Sequence, residues 1–82
     1  MDKRLGFVGI IVHNRKAHAP SVNKILTEYG EHIAARTGLP YREKNCSVIT
    51  LVVDMTTDEL GAMTGKLGAI PGISVKSALS KE

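Results

Sequence analysis

The chain has 82 residues and a mass of 8.8 kDa, with 43% hydrophobic and 23% charged residues. These proportions describe an ordinary globular domain and exclude a disordered chain, a coiled coil and a collagen-like repeat. A single domain of this length buries roughly 60% of its unfolded surface or a little more, so its core is thin. The single cysteine, Cys46, excludes a disulfide-stapled scaffold. No apolar run approaches the roughly 18 residues needed to span a bilayer, and no membrane partner is expected.

The segment Met1-Asp2-Lys3-Arg4-Leu5 leads straight into a strand-like pattern. The short apolar run that follows lacks a signal-peptide cleavage site, so a cytoplasmic location is expected. The formal charge is +3, and its distribution is uneven. Residues 1–41 carry six basic and three acidic side chains, whereas residues 42–82 carry five of each. The bias favours anionic partners but is too small for direct nucleic-acid binding.

Leu5 to Val12 is apolar on both alternating faces, with Leu5, Phe7 and Ile11 on one and Val8, Ile10 and Val12 on the other. A strand of this kind is covered on both sides and lies centrally. Gly6 and Gly9 suggest close backbone approach or a bulge. Residues 13–19 read as a polar loop. Pro20 suits a first helical position, where its missing N–H costs nothing. Val22, Ile25, Leu26 and Tyr29 then mark one helical face, Lys24 and Glu28 could pair outside it, and Gly30 suits the C-terminus.

His32 to Glu43 reads as a weaker edge strand because of Gly38 and Pro40, and Lys44-Asn45 as a turn. Ser47 to Asp54 is a second central strand. Thr56 and Glu59 are spaced as a capping box, opening a helix whose inner face is Leu60, Met63, Thr64 and Leu67. Gly68 and Pro71 end it. Ile73 to Leu79 alternates as a half-exposed strand.

The order β-α-β-β-α-β, with its first and third strands most apolar, predicts one ferredoxin-like α+β domain over residues 1–82. Such a domain has a four-stranded antiparallel sheet with two helices on one face. The two-sided apolar strands require a second layer that this length does not supply. A second copy is therefore expected, as a homo-dimer or tetramer, with Val8, Ile10 and Val12 as interface candidates. Gly61 and Gly65, on a helical stripe with Gly68, are further interface candidates because they admit close backbone approach.

Several chemical signals can be weighed. Gly61 to Leu67 only superficially resembles a phosphate loop: three residues rather than four separate the glycines, and Leu67 follows the lysine. The loop before the first helix offers His13, Asn14, Arg15 and His18 to a small anionic or amino-acid-like effector, at a helix N-terminus receptive to negative charge. Arg36 and Arg42 could add bidentate contacts to a carboxylate or phosphate. His13, His18, His32 and Cys46 are possible metal ligands, but their spacing matches no closed zinc motif. His13 and Cys46 are expected near opposite ends of neighbouring strands. A metal cofactor is possible without being predicted. RNA-binding domains of this shape stack bases on central-strand aromatics, and here Phe7 stands alone. No nucleophile–base pair or poised pair of acids is evident, so no enzyme is expected.

Three stretches carry a family resemblance: Tyr29-Gly30 through Arg36-x-Gly38-x-Pro40-x-Arg42-Glu43; Leu60-Gly-Ala-Met-Thr-Gly-Lys-Leu-Gly68; and Pro71-Gly-Ile-Ser-Val-Lys-Ser77. Together they resemble the stand-alone iron-only hydrogenase system regulator family, over nearly the whole chain. The resemblance implies an ACT-type, ferredoxin-like domain, similar also to the C-terminal effector domain of nickel-responsive repressors. It implies no defined ligand. By similarity to ACT domains, an effector would bind at a subunit interface near the first strand–helix loop. The matched positions are Arg36, Gly38, Pro40, Arg42, Gly61, Gly65 and Lys66, whereas His13, His18 and Cys46 lie outside the motif. The expected function is a non-enzymatic, homo-oligomeric regulatory module acting through a small ligand or a protein partner. The alternative is a nickel or zinc sensor or carrier using His13, His18 and Cys46 at a subunit interface.

Overall fold

The computed structural model describes residues 2–81. The elements run β1 (Arg4–His13), α1 (Arg15–Glu28), β2 (Ile33–Tyr41), β3 (Cys46–Met55), α2 (Thr57–Gly68) and β4 (Ile73–Leu79). Single 3-10 turns over Gly30–His32 and Arg42–Lys44 flank β2. The strands form one antiparallel sheet in the order β2-β3-β1-β4. The two apolar strands are central and the Pro40-bearing strand is at an edge, where a missing N–H breaks no ladder bond.

Alternation decides the faces. Val8, Ile10 and Val12 of β1 and Ile49, Leu51 and Val53 of β3 join Val22 and Leu26 of α1 and Met63 and Leu67 of α2 in one buried cluster. Both helices therefore cover the same sheet face. This corrects the expectation for Val8, Ile10 and Val12. They are fully buried beneath the helices and unavailable to a partner. The residues left open on β1 are Leu5, Phe7 and Ile11.

The start of α1 is a second correction. The helix begins at Arg15, taking up most of the expected loop, and Pro20 lies inside it. Asn14 turns the chain in the left-handed region (φ 50°), a conformation that asparagine tolerates. Its carbonyl accepts from the N–H groups of Ala17 and His18 at 3.0 and 3.2 Å, which starts the helix. Pro20 is early enough that it forfeits a single ladder bond, to the Lys16 carbonyl. A second left-handed asparagine, Asn45 (φ 49°), opens β3 and accepts the Asn14 N–H at 3.1 Å, so the two turns brace each other.

Gly6 bears out the expected close approach. A Cβ there would collide with the Ala78 carbonyl and lie 2.9 Å from Leu79 Cα, on the neighbouring β4. Gly9 is not confined in this way: its nearest neighbour would be the Lys76 carbonyl at 3.9 Å. Gly72 turns with φ 77° into β4, and its carbonyl accepts the His13 N–H at 2.8 Å.

The capping box opens α2 as expected. Glu59 N–H donates to Thr56 Oγ1 at 3.1 Å, and Thr56 N–H donates to Glu59 Oε1 at 2.8 Å. Glu59 Oε2 also meets His32 Nε2 at 2.9 Å. The Thr56 N–H bond is the main reason that the Glu59 carboxyl titrates below its ordinary value, with lesser help from His32 and Lys3. A carboxylate whose folded pKa is depressed stabilises the fold above its unfolded pKa, and that contribution disappears as pH falls through the folded pKa. Thermal stability of the native chain should therefore fall below about pH 4.5. Glu59→Gln, which keeps the capping geometry without the charge, should show a shallower fall. Identical pH profiles in thermal melts of the two proteins would remove this role.

Candidate functional site

Two adjoining depressions run between α1 and the edge strand β2. The first, of about 200 Å3, has Arg15, Ala19 and Asn23 on its helix side and Arg36, Gly38 and Pro40 on its strand side. Its floor includes Val12, Ser47 and Ile49. The second, of about 350 Å3, shares Arg15 and Pro40 and adds Lys16, Tyr41, Arg42 and Cys46. The groove exists because two helices cannot cover four strands evenly, and the helix side of β2 is left partly open: β2 contains no fully buried residue.

Four cations, Arg15, Lys16, Arg36 and Arg42, line this groove, and no carboxylate does among the described residues. Arg36 is held in place, since its Nη2 donates to Asn23 Oδ1 on α1 at 2.6 Å. Arg15 and Lys16 occupy the first turn of α1, which holds no acidic residue, and Asn14 makes no side-chain cap. Cations at a helix N-terminus oppose the macrodipole, so an anion here would relieve both the repulsion and the uncapped N–H groups. At the floor is Ser47, the one buried polar residue among those described, at 8% exposure. Its hydroxyl meets no hydrogen-bond partner among the described residues.

The structure divides the residues expected to contact an effector. Arg15, Arg36 and Arg42 come together in the groove. Asn14 serves as a backbone corner. His18 lies on another side, where its ring would sit 3.2 Å from a Cβ on Gly72. His13 ends β1 and Cys46 starts β3, opposite chain ends of neighbouring antiparallel strands, and the register pairs the two directly. In an antiparallel pair the end of one strand meets the start of the next. His32 is engaged by Glu59 at the opposite end of the sheet. No group of three His, Cys, Asp or Glu side chains among the described residues could hold a metal ion. Cys46 is a buried free thiol.

Lys66 has a structural place. Its Nζ lies 3.1 Å from Glu28 Oε2 and 5.3 Å from the centroid of the Tyr29 ring, tying α2 to the end of α1. The hydrogen bond to Glu28, followed by that to Tyr29, raises its pKa. Glu28 thus meets Lys66 across the helices in place of the expected Lys24. Gly61 and Gly65 lie on the exposed side of α2, where an added Cβ would meet nothing within 4 Å. No other part of the described chain approaches them closely.

Sequence reasoning missed Ser47, Asn23 and Lys16. The signal for Ser47 was present: it is the polar member of an inward-facing series continued by Ile49, Leu51 and Val53. Asn23 offers no such signal, because only folding brings it to Arg36.

No helix among the described residues is long and apolar enough to cross a membrane. The chain is similar to a solved protein of uncharacterised function from Thermotoga maritima, TM1266, at 39% identity and a TM-score of 0.93, over 98% of this chain and 100% of that one. The C-terminal domain of the MgtC protein from Mycobacterium tuberculosis is similar at 16% identity and a TM-score of 0.75, over 99% and 92%. A nitrogen regulatory PII-like protein from Thiomonas intermedia K12, solved with ADP, AMP and bicarbonate, is similar at 14% identity and a TM-score of 0.52, over 95% and 91%. The latter two likenesses concern the fold alone. No curated protein matches the chain. The family model for TM1266-like iron-only hydrogenase system regulators matches residues 4–77, and the chain belongs to that family.

Proposed function

We propose that this chain is a non-enzymatic regulatory module of an iron-only hydrogenase system, working as a homo-oligomer assembled through its open sheet face. The observation that carries the assembly is the composition of that face. Leu5, Phe7 and Ile11 of β1, Val52 of β3 and Leu39 of β2 are all exposed, and the strand register places them on one side. Phe7 is flanked by Val52 and Ala78, and Ile11 by Val48 and Ser74.

A second copy is the occupant that this face suits. By register its charged residues within the paired strands are Asp54 and Lys76, one of each sign, so two identical faces meet without net repulsion. Four strands at ~4.8 Å spacing, with seven or more residues at ~3.3 Å each, give a face about 19 Å by 23 Å before the relief of the side chains is counted. That flat area is roughly half of the ~800 Å2 per partner of an ordinary stable interface, and the relief of the side chains adds to it. Regulation would then follow from a ligand or protein partner that favours one assembly over another.

Sedimentation velocity on the purified chain at micromolar concentrations tests this reading. A dimer or larger species is expected, and a monomer across the range would overturn it.

A further inference from the structure

We propose that the groove between α1 and β2 is a binding site for a small, multiply charged organic oxyanion, a phosphate ester or a polycarboxylate on a compact body. Arg15, Arg36 and Arg42 hold its charge and the Ser47 hydroxyl receives one of its polar atoms. The inference deepens the regulatory reading by naming the ligand class, and it rests on that reading only for the consequence of binding.

Three independent features converge. The first is an excess of positive charge: four cations line the groove and no carboxylate among the described residues does, Glu43 lying beyond Tyr41 at 3.4 Å from its hydroxyl. A surface of solvated cations is ordinary, but these surround a concavity, where low-dielectric walls strengthen their field. The second is preorganisation. Asn23 fixes one Arg36 nitrogen at 2.6 Å, leaving the rest of the planar fork to meet an oxyanion. The third is Ser47. Its hydroxyl opens onto the groove floor, where a ligand's polar atom can take the place of water. Beside it, Val12, Ile49 and Pro40 offer apolar surface to a carbon skeleton, which an inorganic ion would not use. The whole site is built within one protomer, and its cations Arg15 and Arg36 lie on the helix side of the sheet, with Leu39 at the border between the groove and the face proposed for assembly.

Gly38 supplies a clean probe. It lines the groove, an added Cβ would meet nothing within 4 Å, and its φ is not left-handed. Gly38→Val should therefore be accepted by β2 while filling the space a ligand needs.

The test is isothermal titration calorimetry of the full chain with AMP and with citrate. Saturable binding of one molecule per protomer is expected for at least one probe. Binding of AMP alone identifies a phosphate site, and binding of citrate alone a polycarboxylate site. Arg36→Gln and Gly38→Val should each weaken it about tenfold or more, whereas Lys24→Gln, whose side chain lies outside the groove, should leave it within a factor of about two. Circular dichroism and thermal melts establish that the variants are folded. Ser47→Ala provides a further conservative check, with weaker binding expected. No saturable binding of either probe, or affinity unchanged in both Arg36→Gln and Gly38→Val, would overturn the proposal. Binding to a chain that sediments as a monomer would leave the groove intact and remove the assembly; an oligomer that binds neither probe would do the reverse.

Discussion

Phe7→Glu is expected to convert the proposed oligomer into folded monomers. Phe7 is 57% exposed on the open side of a central strand, with Val52 and Ala78 as its cross-strand neighbours. Burying a phenylalanine contributes about 1.5–3 kcal/mol, and an interface about a two-fold axis counts the residue twice. A carboxylate in its place loses that burial and adds a desolvated charge to an apolar patch, where no cation directly opposes it. With Phe7 57% exposed before assembly, loss of both phenylalanines alone amounts to about 2–3 kcal/mol, or roughly one to two orders of magnitude in the dissociation constant. The monomer itself should be little affected, because Phe7 is outside the core and surface changes usually lie within about 0.5 kcal/mol. Sedimentation of wild type and variant at equal concentration decides the matter. Equal masses for an oligomeric wild type and Phe7→Glu would mean that the copies meet elsewhere.

Leu51→Ala should produce the largest loss of fold stability. Leu51 is fully buried on β3 opposite Val8 and belongs to the cluster shared by both helices. Truncating a buried leucine costs about 2–5 kcal/mol, from lost burial and from the cavity left behind. A domain of this size loses about 4–8 °C of melting temperature per kcal/mol, so a fall of at least about 8 °C is expected. Its chain neighbour Val52 points to the open face and is 42% exposed. In the Phe7→Glu background, where assembly no longer contributes, Val52→Ala should therefore shift the melting temperature only slightly. Thermal melts showing equal shifts at residues 51 and 52 would contradict the assignment of the two faces.

The two proposed roles, ligand binding between α1 and β2 and assembly through the open sheet face, would share the edge strand β2. A ligand bound by Arg15 and Arg36 would bridge α1 and β2, and Leu39, which borders that groove, belongs by register to the open face. An edge strand with side chains on both surfaces is a direct physical route by which ligand binding could bias assembly.

The local features of this protein were legible in its sequence because they depend on neighbours close along the chain. Alternation from Leu5 to Val12 sorted β1 into two faces, the spacing of Thr56 and Glu59 announced α2, and Ile73 to Leu79 marked β4. Pro40 marked its strand as an edge by removing a donor. The apolar character of both faces of β1 also implied a missing layer. Alternation alone could not say which face the helices would take, so Val8, Ile10 and Val12 were expected at an interface, whereas the helices bury them and leave the Phe7 side open. Pro20 suggested a helix start, but the bond between Asn14 and Asn45, 31 positions apart by numbering, began the helix at Arg15. The groove lay beyond local reading for the same reason. Arg15, Asn23, Arg36 and Ser47 come from three elements, and only the sheet order and the seating of α1 bring them together. Periodicity determines which way a side chain faces within its own element; packing over distances long in sequence decides what it meets.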